Sequence, residues 1–177
     1  MNRKELLIGC GHNHDKRLCL HGHEKWEGLV TLDINQRLAP DICWDLTKLP
    51  YPMETDSCDE IHAYEVLEHT GRQGDYAFFF AQWSEFWRIL KPGGTFFCTA
   101  PSPKSVWAWG DPSHSRTVQV ENLPFLVQPE YVKQQGKTSM TDFRYMYSAD
   151  FDVFAAEDDG EGVRFILSAV KPSRIAR

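Results

Sequence analysis

The chain has 177 residues, of which 42% are hydrophobic and 25% are charged; this composition is typical of one globular domain and excludes general disorder. Its formal charge is −6, from 19 basic and 25 acidic residues, and the basic residues are scattered, which disfavours a nucleic-acid partner. No run of about 18 apolar residues and no signal-peptide pattern occurs, so neither a membrane span nor secretion is predicted. The cysteines, odd in number and widely spaced, are expected to be reduced thiols in a cytoplasmic compartment: Cys10, Cys19, Cys43, Cys58 and Cys98.

Short apolar runs alternate with polar stretches along the first 100 residues, a rhythm typical of a parallel α/β sheet. The predicted strands are residues 5–8, 29–32, 42–44, 60–63 and 95–99. Each ends in a polar or glycine-rich segment. Because ligands of open α/β sheets bind at the carboxyl ends of the strands, we expect the functional site there.

One amphipathic helix is predicted between the fourth and fifth strands. Phe79, Trp83, Phe86 and Leu90 recur at helical spacing, and their stripe is expected to pack against the sheet. The segment 91–94 (KPGG) supplies a cation for the last carbonyls, then a proline and two glycines, and is expected to end the helix.

The last third of the chain has a different pattern. Residues 151–155 and 163–170 flank the sequence EDDGEG, which indicates an antiparallel hairpin. Residues 101–147 are too long for a simple connection, and insertions of this length are usually functional.

Two strand ends carry residues suited to a nucleoside. Gly9 and Gly11 follow the first strand, where a backbone without Cβ atoms can turn sharply and approach a ligand. Asp33 comes 22 residues after Gly11 and could accept both hydrogen bonds of a ribose diol. Asp45 ends the third strand, where it could accept from an adenine amino group or cap a turn.

In this order, the segments LLIGCG, TLDI, DLTKLPYP, DEIHAYEVLEHTG and RILKPGG resemble the class I S-adenosylmethionine-dependent methyltransferases, most of all the branch termed type 11. The resemblance covers about residues 5–100. It implies one Rossmann-like α/β domain over residues 1–177, with strand order 3-2-1-4-5-7-6 and strand 7 antiparallel. It also implies S-adenosylmethionine as the cofactor, with Asp33 on the ribose hydroxyls and Asp45, with the backbone of Leu46, at adenine.

For the methionine end, the resemblance implies that Gly9 and Gly11 border the cofactor and that Glu65 lies near the transferred methyl group. Two positions depart from the family pattern. The usual acid before the first glycine is Leu7, and the usual third glycine is Asn13. The resemblance therefore assigns no residue to anchor the methionine amino group.

Methyl transfer depends mostly on positioning, and a base is needed only where the acceptor must lose a proton. The candidate catalytic bases are His69, in EVLEH, and His114, in WAWGDPSHSR, where Trp107 and Trp109 could wall a pocket. The chain begins almost at the first strand, so we expect residues 101–147 or another subunit to cover the substrate. The oligomeric state is left open.

The sequence predicts transfer to a small-molecule or glycan-like acceptor, with no membrane partner. The alternative is a catalytically silent cofactor-binding protein of the same fold, and a nicotinamide-dependent oxidoreductase is disfavoured because GxGxxG is absent. A cluster of potential metal ligands lacks the spacing of a known zinc finger, so we assign no metal site and expect an ordinary loop or helix there: His12, His14, Cys19, His21 and His23.

Overall fold

A single sheet of seven strands organises residues 3–175, the part of the chain that the computed structural model describes. The strand order is β3-β2-β1-β4-β5-β7-β6, and β7 is antiparallel to both of its neighbours, so the predicted α/β topology is confirmed. Residues 1–2 and 176–177 of the predicted domain lie outside the described residues. The strands are β1 (Glu5–Ile8), β2 (Leu29–Asp33), β3 (Ile42–Cys43), β4 (Cys58–Tyr64), β5 (Leu90–Pro101), β6 (Phe151–Asp158) and β7 (Gly162–Ala169).

The first five strands run parallel, so their carboxyl ends meet at one edge of the sheet. The strand β5 is longer than predicted: it begins at Leu90, the last residue of the predicted helical stripe, and includes the segment 91–94 that is expected to end the helix. The hairpin turn is tighter than expected, because β6 continues to Asp158. No helix within residues 3–175 combines the length and the apolar character that a membrane crossing would need.

The predicted helix is α1 (Tyr76–Ile89), whose first turn is capped by Asp75 through a 3.0 Å hydrogen bond from the Phe78 amide. Trp83 and Phe86 of the predicted stripe are buried, whereas Leu90 lies just beyond the helix and opens β5.

The cation at the end of α1 is not the predicted one. Lys91 binds the Asp59 carboxylate at 2.7 Å. The carbonyls of Arg88 and Leu90 instead accept hydrogen bonds from the Lys171 ammonium, which comes from the end of the chain.

The insertion between β5 and β6 holds α2 (Trp107–Gly110), a 3-10 helix (Val120–Leu126) and α3 (Gln128–Gln134). Leu123, Leu126 and Tyr147 are buried in the same core as α1. Part of the insertion that is predicted to cover the substrate therefore packs in the core of the domain.

The opposite face of the sheet has a thinner cover. Residues 12–28 connect β1 to β2 without a helix, and they pack over a small apolar cluster that includes Leu7, Tyr64 and Phe97.

Beside that cluster lies a buried charge network. Lys16 contacts the carboxylates of Glu5 and Glu60 at 2.9 and 2.8 Å, and Arg3 pairs with the same two residues. His62 Nε2 lies 2.9 Å from Glu60 Oε2. Glu5, Glu60 and His62 have no exposed surface, so the network is internal and its charges are paired.

Candidate functional site at the carboxyl ends of the strands

The turn after β1 requires glycine at two positions, and the surroundings of the two glycines differ. Gly9 and Gly11 have φ of +58° and +56°, where side chains are strained. A Cβ at Gly9 would lie 2.2 Å from Cγ2 of Val66, whereas a Cβ at Gly11 would meet nothing within 4 Å. Gly9 therefore lets the turn pack against the end of β4, and Gly11 leaves open space in which a ligand could approach the backbone.

Asp33, at the end of β2, faces this turn. Its Oδ2 accepts a 3.0 Å hydrogen bond from the Gly11 amide, and its Oδ1 accepts a 2.8 Å bond from the Asn35 amide. The side chain is buried, and each carboxylate oxygen keeps a further lone pair. Asp33 thus ties β2 to the glycine turn, and its contact with a ribose stays a prediction.

Asp45 caps a turn, which is the second of the two roles predicted for it. Its Oδ1 accepts from the Thr47 hydroxyl at 2.7 Å and from the Thr47 amide at 2.9 Å, and these hydrogen bonds lower the pKa of Asp45. Leu46 is buried, and its carbonyl accepts a 3.0 Å bond from the Tyr51 hydroxyl. The adenine contacts of Asp45 and Leu46 stay predictions.

Glu65 directly follows β4 and has φ of +53°, a conformation that costs about 1–3 kcal/mol for a residue other than glycine. Its amide is held by the Thr99 carbonyl at 2.9 Å, and its side chain is exposed. The carboxylate therefore points away from the core, and its place near a methyl group stays a prediction.

The structure brings the two candidate bases together, although 44 residues lie between them. The rings of His69 and His114 meet edge to face with centroids 4.6 Å apart. The insertion reaches this point because the Ser115 amide donates to the Glu68 carbonyl at 2.9 Å and Arg116 Nε donates to the Leu67 carbonyl at 2.8 Å.

Glu68 is a candidate that the sequence analysis missed. It is 2% exposed, and within the described residues neither carboxylate oxygen has a hydrogen-bond partner. Burial raises the pKa of Glu68 to about 8, and the nearby charge of Glu65 contributes to the rise. The motif EVLEH contains two acids, and its sequence does not reveal that the 3-10 turn Leu67–His69 buries the second one.

Trp107 and Trp109 flank Ala108 on α2, and they are 65% and 59% exposed. The pocket walls expected from them are therefore absent from the described structure. Ala108, which lies between them, contacts the insertion's candidate base: His114 Nδ1 lies 3.2 Å from the Ala108 carbonyl.

A cavity of about 210 Å³ lies between α1 and the insertion. Its walls include Gln73, Tyr76, Phe79, Arg116 and Phe143, and none of the residues predicted to hold the cofactor. It is therefore distinct from the edge of the sheet where the glycine turn and Asp33 lie.

The histidine- and cysteine-rich segment is a loop. Its potential ligands are His12, His14, Cys19, His21 and His23. Within residues 3–175, no three of these side chains bring their ligand atoms within 4.8 Å of one another.

No family model and no curated protein matches the sequence. Solved structures do match the fold. A SAM-dependent methyltransferase from Archaeoglobus fulgidus aligns with a TM-score of 0.59 and 16% identity, over 94% of this chain and 86% of that one. The N-methyltransferase NodS from Bradyrhizobium japonicum WM9, in complex with S-adenosyl-L-homocysteine, aligns with a TM-score of 0.53 and 14% identity, over 95% of this chain and 78% of that one. The [4+2]-cyclase SpnF aligns with a TM-score of 0.53 and 16% identity, over 97% of this chain and 76% of that one.

At these identities the likeness concerns the fold, and it agrees with the strand order and with the resemblance of the motifs. Assignment to the type 11 branch stays a prediction. The chain has the class I S-adenosylmethionine-dependent methyltransferase fold.

Proposed function

We propose that this protein transfers a methyl group from S-adenosylmethionine to a small-molecule or glycan-like acceptor. The observation that carries the proposal is the convergence of strand ends: the Asp33 carboxylate accepts from the Gly11 amide, and Gly9 packs on Val66 after β4. This arrangement brings the Asp33 carboxylate, which we propose accepts hydrogen bonds from the ribose, to the same edge of the sheet as the glycine turn and the Glu65 turn.

The residues present fit the cofactor at one testable point, the open space over Gly11. Gly11 and Asp33 would hold the nucleoside side, and Asp45 would address adenine. When bound, the cofactor supplies an activated methyl group on sulfur. The protein then has to orient the acceptor and exclude water.

The surface beside His114 supports an acceptor with a flat face. Trp107 and Trp109 belong to α2, the helix whose Ala108 carbonyl contacts His114, and each has an exposed ring that can stack on a sugar or an aromatic ring. Residues 101–147 would then cover the acceptor, with His114 or His69 within reach of a proton that the acceptor must lose.

The alternative, a silent cofactor-binding protein, has its own support. Leu7 stands where the family has an acid, and it is packed in the apolar cluster with Tyr64 and Phe97. SpnF, which shares the fold, is a [4+2]-cyclase, so the fold by itself does not establish methyl transfer.

The first test is calorimetry with S-adenosylmethionine, S-adenosylhomocysteine and NAD. We expect Asp33→Ala to weaken cofactor binding by about 1.5–3 kcal/mol, because a hydrogen bond to a charged group is lost. The matched control is Asp41→Ala, since Asp41 also accepts from a backbone amide, that of Thr31 at 2.8 Å, but lies before β3. Equal affinity in wild type and Asp33→Ala would refute the ribose assignment.

Turnover separates the two functions. Formation of S-adenosylhomocysteine with a panel of sugar and aromatic acceptors would support the enzyme. Tight cofactor binding without turnover on any acceptor would favour the silent protein.

A further inference from the structure

Three potential metal ligands converge beside the proposed methyl site. One carboxylate oxygen of Glu68 and one ring nitrogen each of His69 and His114 lie within 4.8 Å of one another. Within residues 3–175 this is the one group of three or more such side chains that meets at ligand distance. Two members come from the turn after β4, and the third comes from the insertion.

The hydrogen bonds of His69 fix its tautomer. Ser113 Oγ lies 2.5 Å from Asp111 Oδ1 and 3.0 Å from His69 Nδ1. A carboxylate can only accept, so the serine proton points to Asp111, and the serine oxygen accepts from His69 Nδ1–H. The Nε2 lone pair of His69 is then available to a ligand.

His114 is arranged in the same way. Its Nδ1 lies 3.2 Å from the Ala108 carbonyl, which can only accept, so the proton is on Nδ1 and the Nε2 lone pair is free. Metal-binding histidines typically donate their second ring N–H to a carbonyl or an oxygen of this kind. The Asp111 carboxylate lies 4.0 Å from His114 Nε2 and adds negative charge nearby.

Glu68 supplies an independent observation that points to a ligand. It is 2% exposed, and both of its carboxylate oxygens lack a partner, although such groups are normally satisfied when buried. The neighbouring cation Arg116 directs its hydrogen bonds elsewhere, to Leu67, Thr70 and Gln82.

We propose that Glu68, His69 and His114 bind a divalent transition-metal ion of the zinc class. Two imidazoles and one carboxylate are a ligand set of catalytic zinc sites, in which the fourth position stays open. In such a site the ligand atoms lie about 3.4 Å apart, so side chains whose ligand atoms lie within 4.8 Å need to close in by at most about 1.4 Å. The exposed side of His69 leaves a path for the ion.

The role of the ion rests on the proposed function. Glu68 lies three residues after Glu65 in the segment that follows β4, so the ion would lie near the proposed methyl site. An acceptor hydroxyl or carboxylate bound to the ion would be oriented by it, and an acceptor hydroxyl would also be made more acidic. With the ion bound, His69 and His114 would serve as its ligands and not as bases.

The test uses the full chain, stripped with a chelator and titrated with zinc chloride by calorimetry. We expect one ion per chain and a rise in melting temperature that the chelator reverses. Glu68→Gln and His114→Ala should each weaken binding at least 10-fold. The matched control, the double variant His12→Ala/His14→Ala, removes two exposed histidines of the loop and should bind like wild type.

Cobalt(II) provides a second readout on the wild-type chain, so the test does not depend on the variants folding. A visible spectrum typical of tetrahedral nitrogen and oxygen ligands would support the site. No binding to the wild type, or binding that is lost only in the loop variant, would overturn it. Zinc binding without S-adenosylmethionine binding would leave the metal site standing and refute the methyltransferase, whereas the reverse result would refute the metal site alone.

Discussion

The two faces of the sheet are built from opposite kinds of interaction. Leu6 and Ile8 of β1 pack on the face that α1 and the insertion cover, where the core is apolar and rich in aromatic rings. Glu5 and Leu7, the alternate residues of the same strand, lie on the other face, which a helix-free loop covers. The comparison shows that where the cover is thin, a paired charge network replaces part of the hydrophobic core.

The largest loss of stability is expected for a substitution on the helical face, the face of the sheet that α1 and the insertion cover. Trp83 is 3% exposed, and its ring lies against those of Phe86, Phe96 and Phe151. Trp83→Ala should lower the free energy of unfolding by about 3–5 kcal/mol, measured by urea denaturation, because it leaves a large cavity. Phe154→Ala, at a residue that is 71% exposed, is the control and should cost less than about 0.5 kcal/mol. Similar losses in both variants would contradict the assignment of the main core to this face.

A smaller loss of stability is expected for a substitution on the loop face, the face of the sheet that residues 12–28 cover. Lys16→Ala should cost about 3 kcal/mol, the lower end of the range for a broken buried ion pair, because Arg3 still neutralises Glu5 and Glu60. Lys133→Ala removes an exposed pair with Glu130 and should change the free energy of unfolding by less than about 0.5 kcal/mol. A Lys16→Ala variant as stable as wild type would mean that the network contributes little.

The third expectation is a pH dependence that arises from the loop face. Burial alone would raise the pKa of Glu60, but hydrogen bonds from His62 and Lys16 outweigh it and lower this pKa to about 2. Burial also lowers the pKa of His62, so the unfolded chain takes up protons first at both groups. Stability should therefore fall as the pH falls below about 6.5, and again between about 4.3 and 2.

Urea denaturation at pH 7, 5 and 3 measures this dependence. Glu60→Gln should show a shallower loss between pH 5 and 3, because the titrating carboxylate is gone. Parallel curves for wild type and variant would show that another acid governs the loss.

The positions of the first strands and of α1 could be predicted from the sequence because they end at recognisable signals, whereas the strand order followed only from the resemblance to the methyltransferases. The glycine turn and Asp33 mark the ends of β1 and β2, and the apolar stripe of Trp83 and Phe86 identifies α1. The loop between β1 and β2 could not be predicted in the same way. Its contacts join Lys16 to Glu60, 44 residues away, and no local pattern reports them.

The candidate site was predictable only in part, for the same reason. His69 and His114 could be named from their residue type and context, but their contact depends on how the insertion folds back onto Glu68. Hydrophobic periodicity does not identify Glu68, because a polar residue in a short 3-10 turn has no periodic signature of burial.

The contact between Gly9 and Val66 has a consequence for sequence divergence. The space that a side chain at position 9 would need is already filled by the branched methyl groups of position 66. Across homologous chains, these two positions are therefore expected to covary: alanine or serine at position 9 should occur only where position 66 is glycine, because even the Cβ of Val66 would lie 2.7 Å from the new Cβ.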